Sequence, residues 1–263
     1  MANLLENNNV SLENVTGTEN LQSALSSGSH DMVIAPLNLG AKLYIGEKSI
    51  YKIEAVITLN NAYIVTKADN PLDSINDLVG KEIMAFGKAG IPGSLVTKLY
   101  NDNEELDLSN IEGNWYDSSA DVYGLFKGGS GPSYAVMSEP EISKLIVKDN
   151  ISVKTLDICS LLNLEVVPQA CIFVNPNSDQ TKVKEVLELI EANINCLNND
   201  PLAYAEKAIT LHNSFNMMGK EVITRCIPLT NIKYLKASEI RSDIENTLTI
   251  VGLKKVPGNE FYN

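Results

Sequence analysis

The chain has 263 residues, longer than a usual single domain, and its 44% apolar residues suffice for packed cores, so a chain disordered throughout is excluded. A net charge of −12 argues against nucleic acid and against an anionic membrane surface as partners. No apolar run approaches the ~20 residues that span a bilayer, and only two arginines, Arg225 and Arg241, are present for forked recognition of a carboxylate or sulfonate.

The first nine residues, Met1 to Asn9, lack the basic and apolar regions of a secretion signal. They read as the tail of a helix already under way, so the expectation is a chain that begins inside its first helix. Thr18 with Glu19 and the run Leu21–Leu25 predicts a capped short helix ended by Gly28. A strand over Asp31–Ala35 stops at Pro36, and a helix follows from Leu37 to Tyr44. Two runs rich in Ile, Val, Tyr and Thr, Lys52–Thr58 and Ala62–Val65, read as strands joined by Leu59-Asn60-Asn61. Ser74–Gly80 predicts a capped single turn of helix. A strand over Glu82–Ala85 then meets the glycine-rich segment Phe86–Ser94, and a helix runs from Ser94 to about Tyr100. Asn101–Asn110 reads as a connection and Asn114–Tyr116 as a strand. A helix over Ser119–Phe126 ends at Gly128-Gly129. The strand Tyr134–Met137 stops at Ser138-Glu139-Pro140, and Glu141–Ile146 is helical.

Two segments thus repeat one plan of capped helix, glycine, strand, proline-containing strand end and helix: Thr18–Tyr44 and Ser119–Ile146. A plan repeated at long separation suggests two similar α/β lobes. The β-rich run Val166–Pro176 carries Pro168 inside it, which points to an edge strand or a crossing between lobes. Val183, Val186, Leu187, Ile190 and Ile194 recur at helical spacing. Asn198-Asn199-Asp200-Pro201 breaks that helix and starts another over Leu202–Ile209. A last amphipathic helix covers Ser238–Val251 before Gly252.

The glycine-rich segment is the most informative. A strand running into Gly87-Lys88-Ala89-Gly90 and then a helix leaves backbone N–H groups at a helix N-terminus, a ready site for a polar or anionic group. The other reading is a tight turn with glycines for steric reasons. The loop has neither GxxxxGK[ST] nor GxGxxG spacing, which argues against a nucleotide. Cys159, Cys171, Cys196 and Cys226 show no zinc or CxxC spacing. Cys171 and Cys196 fall in apolar patterns, and whether any disulfide forms stays open. His30 and His212 lack a catalytic partner pattern and suit surface or capping roles. No HExxH, GxSxG or paired-carboxylate spacing appears. Asp31 suits backbone capping, while Glu139, at the carboxyl end of its strand, is expected to face the ligand. Tyr63, Trp115 and Tyr123 suit either core packing or stacking on an aromatic ligand. Lys254-Lys255 reads as a solvated tail rather than a docking patch.

The order of these elements resembles the substrate-binding proteins of bacterial ABC importers, in the branch with a type II periplasmic-binding fold, nearest to the nitrate/taurine/sulfonate and thiamine-precursor group. The resemblance rests on Gly17–Leu25 with Asp31–Asn38 as the first-lobe helix and "D-hydrophobic-P-x-N" strand end, and on Ile75-Asn76-Asp77-Leu78-Val79-Gly80-Lys81-Glu82-Ile83 as the second-lobe entry "I-x-D-L-x-G-K-x-I". Ser138-Glu139-Pro140 matches an "x-E-P" strand end, and Asn199–Ala205 matches an "N-x-P-x-x-A" helix start. It covers nearly the whole chain, although a first strand and ligand-binding loop expected ahead of the first helix are missing. The resemblance implies an α/β fold of two lobes joined by two crossing hinge strands, residues 1–64 with 172–263 as lobe one and 65–171 as lobe two. It implies hinge closure around a small-molecule ligand in the inter-lobe cleft. The implied protein is a monomeric, extracytoplasmic solute-binding component, lipid-anchored at full length, working with ABC permease and ATPase subunits. It has no nucleic acid, cofactor, metal or catalytic residue. An enzyme on the same fold, similar to menaquinone-pathway enzymes or pyrimidine synthases, is the alternative. The expected ligand-binding residues are Thr18, Asn38, Asn60, Gly87, Lys88, Ala89, Gly90, Glu139 and Gln169. With Glu139 facing the ligand, a neutral, zwitterionic or weakly cationic molecule is expected.

Overall fold

In a computed structural model, residues 10–15 and 17–263 are described. The helix tail expected over Met1–Asn9 lies outside them. The chain divides into two units. Unit 1 runs up to Leu59 and resumes over Pro168–Asn263, and unit 2 is Asn60–Val167.

Unit 1 is built on a sheet of four strands in the order β1-β8-β2-β9, where β1 is Met32–Pro36, β2 Lys52–Thr58, β8 Ala170–Val174 and β9 Ile232–Lys236. All neighbours are antiparallel. Strand alternation sends Ile172 and Val174 of β8 to a core completed by Val183, Leu187, Ile190 and Ile194 of α7 (Gln180–Asn199) and by Ile223 and Ile227 of α10 (Lys220–Leu229). Phe173 points the other way and lies against α2 (Leu37–Ile45) at Gly40. A Cβ on Gly40 would stand 2.2 Å from the ring, so only glycine lets helix and ring meet. Helix α1 (Thr18–Ser27) ends at Gly28 with φ of 67°, the left-handed cap the sequence signals. Helices α8 (Pro201–Leu211), α9 (Asn213–Met218) and α11 (Arg241–Ile250) complete the unit.

Unit 2 carries a mixed sheet in the order β5-β4-β6-β3-β7, with β3 at Tyr63–Lys67, β4 at Ile83–Phe86, β5 at Trp115–Tyr116, β6 at Tyr134–Met137 and β7 at Val153–Asp157. Its helices are α3 (Ile91–Asn101), α4 (Ser119–Gly128), α5 (Glu141–Val147) and the single turn α6 (Ile158–Leu161). Val65, Met84, Ala135 and Met137 of the sheet close on Val122 and Phe126 of α4 and Ile142 and Leu145 of α5. The repeated plan is present: α1, Gly28, β1, Pro36 and α2 in unit 1 match α4, Gly129, β6, Pro140 and α5 in unit 2.

Several expectations need correction. The boundaries fall at 59/60 and 167/168 instead of 64/65 and 171/172, because each supposed crossing strand belongs to one sheet. β3 pairs along its length with β6 and β7, and β8 pairs with β1 and β2. Of the two readings of Val166–Pro176, the edge strand is wrong, and the chain passes from one unit to the other within the run, at Val167/Pro168. Pro168 precedes the strand, so its missing N–H removes no rung, and β8 is interior to its sheet. Helix α3 begins at Ile91, three residues before Ser94, because Pro92 occupies its first turn, where a missing N–H is harmless. Strands β7 and β9 and helices α6, α9 and α10 were not read from sequence. Cys196 is exposed although its pattern is apolar, and all four cysteines are free thiols.

Gly40→Ala tests the α2–Phe173 contact. Alanine is the better helix former by about 1 kcal/mol, but overpacking against a fixed ring costs about 1–3 kcal/mol. A lower urea midpoint is expected; a raised one would show that the ring yields.

Candidate functional site

In unit 2, strand directions decide where the loops gather. β4 is parallel to both β5 and β6, and β3 is antiparallel to both β6 and β7. The carboxyl ends of β4, β5, β6 and β7 therefore share one edge with the start of β3. Each of those four strands runs directly into a helix, so the N-termini of α3, α4, α5 and α6 also stand on that edge. Such an edge is where α/β sheets bind ligands.

At three of the four helix starts, the chain's own side chains accept one or two of the backbone N–H groups. At α4, Ser118 Oγ accepts from the Asp121 N–H at 3.2 Å while Asp121 Oδ2 accepts from the Ser118 N–H at 3.0 Å, a capping box. At α5, Glu139 Oε2 accepts from the Ser143 N–H at 3.0 Å. At α6, Asp157 Oδ1 accepts from the N–H groups of Cys159 at 2.8 Å and Ser160 at 3.2 Å. Helix α3 has no side-chain cap. Its loop closes on a single carbonyl: the N–H groups of Gly90 and Gly93 both donate to Gly87 O, at 2.8 and 3.2 Å. Gly87 donates in turn to Tyr116 O at 2.9 Å. Among the described residues, nothing accepts from the N–H groups of Lys88, Ala89 or Ile91. The Lys88 ammonium lies 5.9 Å from the centre of the Trp115 ring.

Two asparagines hold this edge together. The Asn61 amide, buried, accepts from the Glu139 N–H at 2.8 Å and donates to Glu139 O at 3.1 Å, extending the β3–β6 ladder by one side-chain rung. Asn60, with φ of 46°, accepts from Val167 N–H and donates to Glu165 O, both at 2.7 Å. Tyr63 opens β3 beside them. Burial, reinforced by the Asp157 and Glu139 carboxylates, pushes its phenol up to about 12, so at neutral pH it is an uncharged hydroxyl.

Of the residues proposed from sequence, Asn60, Gly87, Lys88, Ala89, Gly90 and Glu139 belong to unit 2 and Thr18, Asn38 and Gln169 to unit 1. The expected orientation of Glu139 is corrected. Its side chain is 4% exposed and turned onto α5, because four helix starts on one edge attract carboxylates to their N–H groups. Asn60 acts as a backbone staple. In unit 1, Gln169 O accepts from Leu37 N–H at 2.8 Å, which places Gln169 beside the first turn of α2 and hence near Asn38. Gln169 Nε2 is buried without a hydrogen-bond partner among the described residues. Thr18 is the first helical residue of α1 rather than its cap, which is Gly17 at φ of 86°. His212 Nδ1 does cap α9, accepting from Ser214 N–H at 3.2 Å. Sequence reading missed Asn61, Asp157 and Gly93. Asp157 ahead of Ile158-Cys159-Ser160 carried a helix-start signal; nothing in the sequence marked the Asn61 rung. Among the described residues, no group of three or more His, Cys, Asp or Glu is placed to hold a metal, and no helix is long and apolar enough to cross a membrane.

No protein-family model and no curated protein sequence matches the chain. Solved structures do. An ABC transporter from Parabacteroides distasonis is 18% identical with a TM-score of 0.77, over 100% of this chain and 93% of that one. The ligand-binding component of an ABC-type import system from Staphylococcus aureus, crystallised with zinc, is 14% identical with a TM-score of 0.68, over 100% and 90%. The periplasmic aliphatic sulphonate binding protein of Escherichia coli is 16% identical with a TM-score of 0.66, over 87% and 76%. The chain has the periplasmic-binding-protein fold. In that fold, the start of α3 carries no side-chain cap, and the N–H groups of Lys88, Ala89 and Ile91 have no acceptor among the described residues.

Gly93→Ala tests the loop. A Cβ there would stand 2.5 Å from Gly87 O and 2.6 Å from Lys88 Cα, both backbone, so the loop must move. A stability loss of about 1–3 kcal/mol is expected in urea denaturation; wild-type stability would mean the loop is not held against α3.

Proposed function

We propose that this chain is the solute-binding component of an ABC importer, working outside the cytoplasm with permease and ATPase subunits. In this reading it holds a small organic molecule by an anionic group set against the first turn of α3. A monomeric state and a lipid anchor extend the same reading. The observation that carries it is the uncapped α3 start, in a fold shared along the whole chain with an import-system ligand-binding component. Two of its structural neighbours are named for binding sulphonates.

The chemistry favours an anion. Three N–H groups with no acceptor among the described residues, those of Lys88, Ala89 and Ile91, lie at or just ahead of the positive end of an 11-residue helix, with the Lys88 side chain beside them. A hydrogen bond to a charged group contributes about 1.5–3 kcal/mol, so backbone alone suffices in a unit that contains no arginine. The expectation of a neutral, zwitterionic or weakly cationic ligand rested on Glu139 facing the anion; that carboxylate is turned onto the Ser143 N–H at the start of α5, where the helix end offsets part of its charge. The net charge of −12 acts from a distance and is screened within about 8 Å at physiological salt. Binding without transformation is part of the proposal. The buried thiol at this edge, Cys159, is pushed up to about 12, so it supplies no thiolate at neutral pH.

Titration calorimetry against alkylsulfonates, carboxylates and phosphate esters, beside neutral pyrimidines and amines, tests the reading. Micromolar binding of an anion-bearing compound is expected, little changed by Glu139→Gln, weakened several-fold by Lys88→Met, with the compound recovered unaltered by mass spectrometry. Micromolar binding confined to neutral or cationic compounds, or turnover of the ligand, would contradict it.

A further inference from the structure

A concavity of about 640 Å³ lies beside β5, next to the loop that carries Lys88. It is lined by Trp115, Tyr116 and Asp117 at the end of β5 and by Asp121, Gly124 and Leu125 along α4. β5 is an edge strand, paired with β4 alone, so this side of the sheet is uncovered.

Gly124 is the informative residue. It sits in the middle of α4, where glycine is poorer than alanine. Its φ is not left-handed, and no heavy atom lies within 4 Å of where a Cβ would stand. Among the described residues, then, nothing requires a glycine, yet it bares the helix backbone to the concavity. A flat group approaching from outside the chain would require it. The walls specify that group further. Two aromatic residues, Trp115 and Tyr116, are among its lining, and its two charged lining residues are both carboxylates. Asp117 makes no hydrogen bond or ion pair with another described residue, and Asp121 uses Oδ2 in the α4 cap. The Lys88 ammonium already shares the Trp115 ring, so a bound cation goes to the carboxylates, and a bound ring goes to Tyr116, Leu125 and the bare turn at Gly124.

We infer that this concavity binds a planar aromatic or heteroaromatic cation. The inference does not rest on the importer reading. The chain has one tryptophan, Trp115, so its emission reports the site directly. Benzamidine is the probe, with benzamide as the neutral and benzoate as the anionic control. Saturable change in emission is expected with benzamidine, at least tenfold weaker with benzamide and absent with benzoate. Asp117→Asn should weaken benzamidine about tenfold. Gly124→Ala should raise Tm yet weaken benzamidine at least threefold, and Gly124→Leu should abolish binding while a cooperative melt shows the fold intact. Alkylsulfonate titrations should be unchanged in all three variants, which separates failure here from failure of the importer reading. No saturable response to benzamidine, equal responses to the three probes, or wild-type affinity in Gly124→Leu and Asp117→Asn would overturn the inference.

Discussion

A helix start carries N–H groups that its own helix cannot satisfy, and unit 2 brings four such starts to one edge of one sheet. That constraint organises the rest of the unit. Positive helix ends gathered together repel, and each attracts an anion by about 0.3–1 kcal/mol. The chain supplies three anions itself: Asp121 with Ser118 at α4, Glu139 at α5 and Asp157 at α6. The fourth start, at α3, follows a loop of glycine, lysine and alanine with no acceptor side chain. The N–H groups of Lys88, Ala89 and Ile91, at and just ahead of that start, find no acceptor among the described residues.

The loops at such an edge have to be tied to the backbone around them. Asn60 and Asn61 do this with amides that mimic peptide groups. Each accepts one backbone N–H and donates to one backbone carbonyl. Asn61, being buried, would leave the Glu139 N–H and carbonyl unpaired if removed, a cost of about 1–3 kcal/mol per group. Gly93 contributes by absence: without a side chain, α3 comes close enough for Gly87 O to collect two N–H groups. The phenol of Tyr63 and the thiol of Cys159, both raised by burial, stay uncharged at neutral pH.

The sequence made the alternating α/β plan legible because its signals are local. Gly28 and Gly129 end helices as left-handed caps, Ser74 and Ser118 open them, and the runs Lys52–Thr58 and Tyr134–Met137 are strands at those bounds. What stayed hidden is long-range. β7 and β9 carry charged and polar residues in half-exposed strands and become strands through pairing with β3 and β2. Pro168 left an edge strand and a crossing between lobes both open, because its place just ahead of β8 depends on the register of Leu59. The glycine loop was legible as an N–H site, but which N–H groups remain free was not, since that depends on Gly87 O and Tyr116 O. Glu139 was misread for the same reason: a strand end gives a residue's position, and the neighbouring helix gives its direction.

Amide-resolved NMR of the 15N-labelled protein, titrated with an alkylsulfonate, tests the central claim most directly. The account predicts that the backbone amides of Lys88, Ala89 and Ile91 shift most and move downfield as they acquire an acceptor, while those of Ser143, Cys159 and Asp121, already bonded to carboxylate or hydroxyl oxygens, shift little. Saturable shifts centred on another element, with the three α3-loop amides unmoved, would contradict it.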